Sequence, residues 1–185
     1  MGVKLAAALG GSIELVPTNT ASNFTVTVPA VTGTMLTTAT AGTVLQVVST
    51  TKTDVFSTSS VNVFQDITGL SVSITPTSAT SKILVQVVVA AGIALGNVLF
   101  NLVRGSTNIA QSTSGTDNET VAANQGGAYS MQTLPIVFLD SPATTSATTY
   151  KLQINPSSQT VYINVRATDN YYGGVSTITV MEIAA

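Results

Sequence analysis

The chain has 185 residues, of which only 8% are charged, and six Lys and Arg against eight Asp and Glu leave a net charge of −2. That balance offers no basic face to nucleic acid. The absence of both His and Cys removes the usual general bases, zinc ligands and thiol nucleophiles, together with any disulfide framework.

Ordinary domains are about one-quarter charged, so solubility here must rest on hydroxyls and amides. Interface centres are depleted in charge in the same way, which implies that much of the surface is covered by other subunits. There are 31 Thr, 19 Ser and 24 Val. β-Branched side chains crowd a helix but fit a pleated surface, so the composition favours sheet.

In chain order, residues 1–9 carry one Lys and a short Ala/Leu run, too short for a signal-peptide core and closed by Gly10-Gly11. Residues 3–9 are the one window with any helical period. Residues 12–40 offer three brief strand-like pieces, the clearest being Phe24, Val26 and Val28 alternating with Thr25 and Thr27. They hold too few large side chains to close a core. Residues 1–41 are therefore expected to be an N-terminal attachment and trimerisation segment, with Leu15, Phe24, Val26 and Val28 facing sister copies or a docking surface. Residues 42–185 suffice for a two-sheet domain.

Within that domain, residues 66–69 read as a turn, and Leu70, Val72 and Ile74 alternate until Pro76 stops the run. Residues 83–103 are uncharged and long enough to cross a bilayer. However, Gly92, Gly96, Gln86, Asn97 and Asn101 suit two buried strands, residues 83–91 and 98–103, covered on both faces, with no membrane insertion. Residues 105–127 read as one long polar loop. Residues 134–139 form a strand that Pro135 assigns to an edge or a bulge. Alternation returns in Tyr150, Leu152, Ile154 and in Val161, Ile163, Val165. In the last strand, residues 176–183, Ile178 and Val180 point one way, while Thr177, Thr179, Met181 and Ile183 point the other. Its end reads as apolar on both faces, which makes Met181 and Ile183 candidates for a subunit contact. Ten to twelve strands with short connections predict antiparallel sheets, folded as a β-sandwich or jelly roll.

Little here can do chemistry. Asp117 and Glu119 are the only close acidic pair. They suggest a calcium site or a glycosidase pair, but the carboxylates are too few for either, and a solvated loop is the expected reading. No catalytic residue, metal or cofactor is assigned. Tyr171-Tyr172, before Gly173-Gly174, could stack on a sugar or form a binding hot spot. The favoured expectation is that one ring caps the core and the other packs at a subunit contact. Tyr171, Tyr172, Asp117 and Glu119 stand as candidates for receptor or subunit contact.

The opening Gly11-Ser12-Ile13-Glu14-Leu15-Val16-Pro17, then Asn19 through Pro29 (NTASNFTVTVP) and Thr32-Gly33-Thr34, resembles the N-terminal segment of bacteriophage fibre and virion appendage proteins. Residues 138–151 (FLDSPATTSATTYK) and 176–184 (STITVMEIA) resemble the globular domain of the same group. The resemblance covers both ends and the middle, but not residues 84–130. It implies a jelly-roll domain, a homotrimer and a place on a virion, bound to capsid, portal or baseplate proteins and in reach of a host surface glycan or protein. It implies no catalytic residues. The chain lacks the shaft repeats of a long fibre, which keeps a second expectation open, a capsid decoration (cement) protein. A polysaccharide depolymerase is the weakest reading.

Overall fold

A computed structural model describes residues 3–6, 12–15, 41–114, 119–125, 127 and 129–185. The chain falls into two compact units, Met1–Met35 and Leu36–Ala185. In the first, β1 (Val3–Ala6) and β2 (Ser12–Leu15) form an antiparallel hairpin in which Val3 faces Leu15. Residues 3–6, at the start of the window with some helical period, are thus strand-paired. Phe24, Val26 and Val28 lie outside the described residues.

The second unit is all-β. Its strands are β3 (Val44–Lys52), β4 (Phe56–Thr58), β5 (Gln65–Ile74), β6 (Lys82–Ile93), β7 (Gly96–Arg104), β8 (Thr107–Ile109), β9 (Val121–Gln125), β10 (Gln132–Asp140), β11 (Thr148–Pro156), β12 (Val161–Ile163) and β13 (Ser176–Ile183). Every pairing is antiparallel. Six strands make one sheet and five the other.

The registers show that each sheet is four strand positions wide. Along β6, β13 pairs with residues 82–88 and β12 with residues 91–93, so β12 and β13 lie end to end on one edge while β10 takes the other. β3 and β4 continue that division outward, pairing with β13 and β12. In the second sheet β8 and β9 lie end to end against β7, which pairs with β11, which pairs with β5. Sheet I therefore runs β3/β4, β12/β13, β6, β10, and sheet II runs β5, β11, β7, β8/β9. Most successive positions alternate between the sheets, which is the connectivity of a jelly roll.

Between the sheets lies the core expected from period-two alternation: Leu70, Val72, Ile74, Phe100, Leu102, Tyr150, Leu152, Ile154, Val161, Ile163, Ile178 and Val180 are all buried. One polar cluster pins the sheets together. The buried Tyr150 hydroxyl donates to Asp140 Oδ2 at 2.7 Å, and Arg104 Nη1 donates to both Asp140 oxygens at 2.8 Å. Burial, then the Asp140 carboxylate, push the Tyr150 phenol far above its ordinary range, so it remains a donor. Replacing Tyr150 with Phe should cost about 1–2 kcal/mol in urea unfolding, because Asp140 loses a buried donor. A change below about 0.5 kcal/mol would mean that Arg104 alone satisfies the carboxylate.

Several expectations need correction. Residues 66–69 are not a turn but part of β5, where Gly69 adopts φ +82° opposite a break in register between Lys151 and Gln153; a bulge absorbs the extra residues. Residues 105–127 are not one loop, because β8 and β9 lie within them. β6 is not covered on both faces over residues 83–91: Gln86 and Val88 are exposed, and double coverage begins at Val89. Pro135 does sit on a strand paired on one side only. No helix among the described residues is long and apolar enough to cross a membrane.

Candidate interaction site

Most of the few charged side chains are paired with one another, several of them at the surface. Lys52 pairs with Asp54, Arg104 with Asp140, Lys151 with Asp66 and Arg166 with Asp169. Lys82 donates to the Ser141 hydroxyl.

The outer face of sheet I carries almost no charge. Residues directly opposite in register share a face, which lines up Val47, Met181, Leu84 and Leu139 straight across the four strand positions. The rows beside it are Ser49, Thr179, Gln86 and Val137, then Thr51, Thr177, Val88 and Pro135. Ile183, opposite Val44 and Lys82, closes the face at one end. Val47 is 56% exposed, Leu139 55% and Val137 64%, and Lys82 is the one ionisable residue in these rows. Met181 and Ile183 sit here, half-buried beside their neighbours.

The inward face of the same strand end differs from expectation: Glu182 follows Ile178 and Val180 into the interior and is fully buried. An acid in the core phase of an alternating strand was the signal to notice.

A hairpin inserted between β12 and β13 bounds this charge-poor face at its other end. Asn164 leaves the strand with φ 67°, Val165 bridges Gly173, and the Arg166 amide donates to the Tyr172 carbonyl at 3.0 Å. This hairpin lies on β6 at Gly92, where a Cβ would come within 2.5 Å of the Val165 carbonyl oxygen. Glycine is required for that approach, and the overlying hairpin accounts for the burial of the end of β6.

The hairpin carries an aromatic shelf. The Arg166 guanidinium carbon lies 5.3 Å from the Tyr129 ring centroid, 5.8 Å from that of Tyr171 and 4.6 Å from that of Tyr172, distances at which a cation is attracted to a ring face. Asp169 clamps the guanidinium through both oxygens, and that charge holds the Asp169 carboxyl below its usual range. Tyr171 and Tyr172 meet edge to face at 5.0 Å. The three rings are 58–75% exposed, so neither Tyr171 nor Tyr172 caps the core, contrary to the favoured expectation. Tyr129 and Arg166 went unnoticed in the sequence because nothing in their spacing links them.

Two clefts flank these surfaces. One, of about 440 Å³, opens beyond the hairpin and is lined by Ser59, Val61, Ala94, Gln159, Thr160 and Tyr162. The other, of about 480 Å³, runs along the β10 edge between Ala110, Val121, Pro135, Ile136, Val137 and Phe138. Neither is lined by a charged side chain.

Of the acidic pair, Asp117 lies outside the described residues. Glu119 closes the base of its loop through its carbonyl, which accepts from the Ser112 amide at 3.0 Å. No three Asp and Glu side chains gather into a metal-binding group among the described residues.

No protein-family model matches the sequence, and no curated protein proves similar to it. Among solved structures the chain is similar to that of infectious bursal disease virus Gx strain, at 14% identity over 93% of this chain and 51% of the other, with a TM-score of 0.40. It is similar to T=1 particles derived from the same virus, at 12% identity over 98% and 44%, with a TM-score of 0.39. It is also similar to the VP2 subviral particle of that virus, at 16% identity over 76% and 38%, with a TM-score of 0.38. The chain spans about half or less of each. These likenesses are distant, and the sandwich is assigned from the strand pairing alone.

Proposed function

We propose that this chain is a non-enzymatic structural protein of a bacteriophage virion, a homotrimeric tail or head fibre or spike. The observation that supports this most is the outer face of sheet I, where Lys82 is the one ionisable residue. A protein working alone in solution gains from surface charge, whereas a part that is mostly covered by neighbours does not. Jelly rolls serve many roles, so the reading rests on that surface together with the sequence resemblance.

In this reading residues 1–41, with Leu15, Phe24, Val26 and Val28, attach the protein to capsid, portal or baseplate and help knit three chains. The shelf of Tyr129, Tyr171 and Tyr172 is the part offered to a host surface glycan or protein. Aromatic rings held by a clamped arginine make a rigid contact of the kind enriched at binding hot spots.

Electron microscopy of particles with antibody against the β domain tests the assignment. Label at the tail or vertices is the expected result. Label spread over the capsid lattice would make the protein a cement, and particles without label would remove it from the virion.

A further inference from the structure

We propose that the outer face of sheet I is covered by a second copy of this chain, docked by its β10 edge, and that three copies close into a ring in this way. The inference deepens the trimer reading above by naming the surfaces.

The face asks for a partner. The three strand positions beside β10, at about 4.8 Å, and four outward rows at about 6.8 Å give roughly 400 Å² per copy, or about 800 Å² with an equal surface opposite, the low end for a specific contact, to which the cleft behind the β10 edge adds. Its central row, Val47, Met181, Leu84 and Leu139, is wholly apolar, the composition of an interface centre.

A nucleic acid or anionic lipid would need cations here, and Lys82 stands alone at one end. A long partner strand added to the β10 edge is disfavoured because Pro135 has no amide to donate. Packing of side chains remains, and the charge-poor surface of a sister copy supplies it.

Symmetry narrows the arrangement. Face against identical face gives a closed dimer, whereas a three-fold ring requires each copy to present two different patches. The β10 edge provides the second. Val137 and Leu139 on it are 64% and 55% exposed, and behind them a cleft of Ala110, Val121, Ile136 and Phe138, with the uncharged polar Gln111 and Thr120, continues the charge-free surface around the edge. One copy's β10 edge can thus rest against the Val47–Met181–Leu84 row of the next, leaving its own face for the third.

The test is the mass of the full chain by light scattering across 1–100 µM. The expected mass is three times 18.8 kDa. Met181→Lys on the face, and separately Val137→Lys on the edge, should each weaken association at least about a hundred-fold, because each buries an unpaired charge. Both side chains point away from the core, so circular dichroism should remain that of a β protein. Val63→Lys, an exposed valine away from both patches, should leave the trimer intact.

A monomeric wild type, a dimer, or a trimer indifferent to both substitutions would each overturn the inference. If Met181→Lys fails to fold, Val137→Lys decides alone. Mass in solution is read independently of particle labelling, so a virion location can stand while this interface falls, and the reverse.

Discussion

Replacing Asn164 with Ala should destabilise the β domain by about 3–5 kcal/mol, the largest loss expected of any single side-chain truncation outside the apolar core. Asn164 is buried and holds three parts of the chain at once. Its Nδ2 donates to the carbonyls of Lys52 at 2.8 Å and Asp54 at 3.1 Å, and its Oδ1 accepts from the Ser176 hydroxyl at 2.6 Å. That hydroxyl accepts in turn from the Ala90 amide at 3.0 Å. The Asn164 backbone donates to the Ala90 carbonyl and accepts from the Gly174 amide. The β3–β4 link, the centre of β6 and the start of β13 therefore meet on one residue.

Alanine would lose every side-chain bond, leave buried carbonyls and a hydroxyl unpaired, and occupy a φ of 67° that costs an ordinary residue about 1–2 kcal/mol. Glycine removes only that strain, so Asn164→Gly should recover roughly 1 kcal/mol of the loss. Urea titrations at one fixed protein concentration, needed because association feeds into apparent stability, would give wild type above Gly above Ala. Equal stability of Ala and Gly would show that the left-handed backbone is not strained. A loss under about 1 kcal/mol for either would show that the amide bonds contribute little.

The contrast between Asn164 and its neighbours explains how far the sequence could be read. Val161 and Ile163 announce a strand by alternation, and the same pattern extended that strand to Arg166; the chain turns instead at Asn164, because its amide finds partners remote in sequence. Non-local hydrogen bonds leave no periodic trace. β3 went unassigned for a related reason. Val48 packs on the core while Val47 lies in the apolar row of the outer face, so two adjacent valines mask the alternation, and a slip in register near Val44 interrupts it further. β8 and β9 carry too little apolar surface to register as strands, and they form because the β7 edge needs partners for its amides. The central strands, by contrast, were legible because burial of one face dictates every second residue.

The outer face of sheet I was half visible. Met181 and Ile183 stood out on one strand, but Val47, Leu84 and Leu139 join them only through register, which is a property of pairing and not of any single segment. The tyrosine shelf was visible in Tyr171 and Tyr172 and invisible in Tyr129, which comes from a different loop.

Acid should unfold this domain through Glu182, and a Gln at that position should remove most of the effect. Burial by itself would raise the Glu182 carboxyl. The hydrogen bonds it accepts from Gln46 Nε2 at 2.6 Å, and from the Thr77 amide and hydroxyl at 2.7 and 2.8 Å, outweigh burial and hold it at about 2, against an ordinary value of 4.5. Between those values the unfolded chain binds the proton and the folded one does not. The stabilisation is therefore complete above about pH 5 and is lost as the pH falls toward 2, a change on the order of 3 kcal/mol.

The donors are neutral groups, so this slope should persist in 1 M salt, which screens surface pairs such as Lys151–Asp66 and Arg166–Asp169. Glu182→Gln should be less stable than wild type at pH 7, by about 1–3 kcal/mol, because an amide nitrogen then faces a donor. Toward pH 2 the two should converge. Unfolding midpoints for both proteins from pH 7 to 2 in high salt decide the matter. Parallel curves would mean that the acid sensitivity resides elsewhere. Converging curves would place it where Gln46 of β3 and the Thr77 loop grip the end of β13, directly beneath Met181 and Ile183 on the open face.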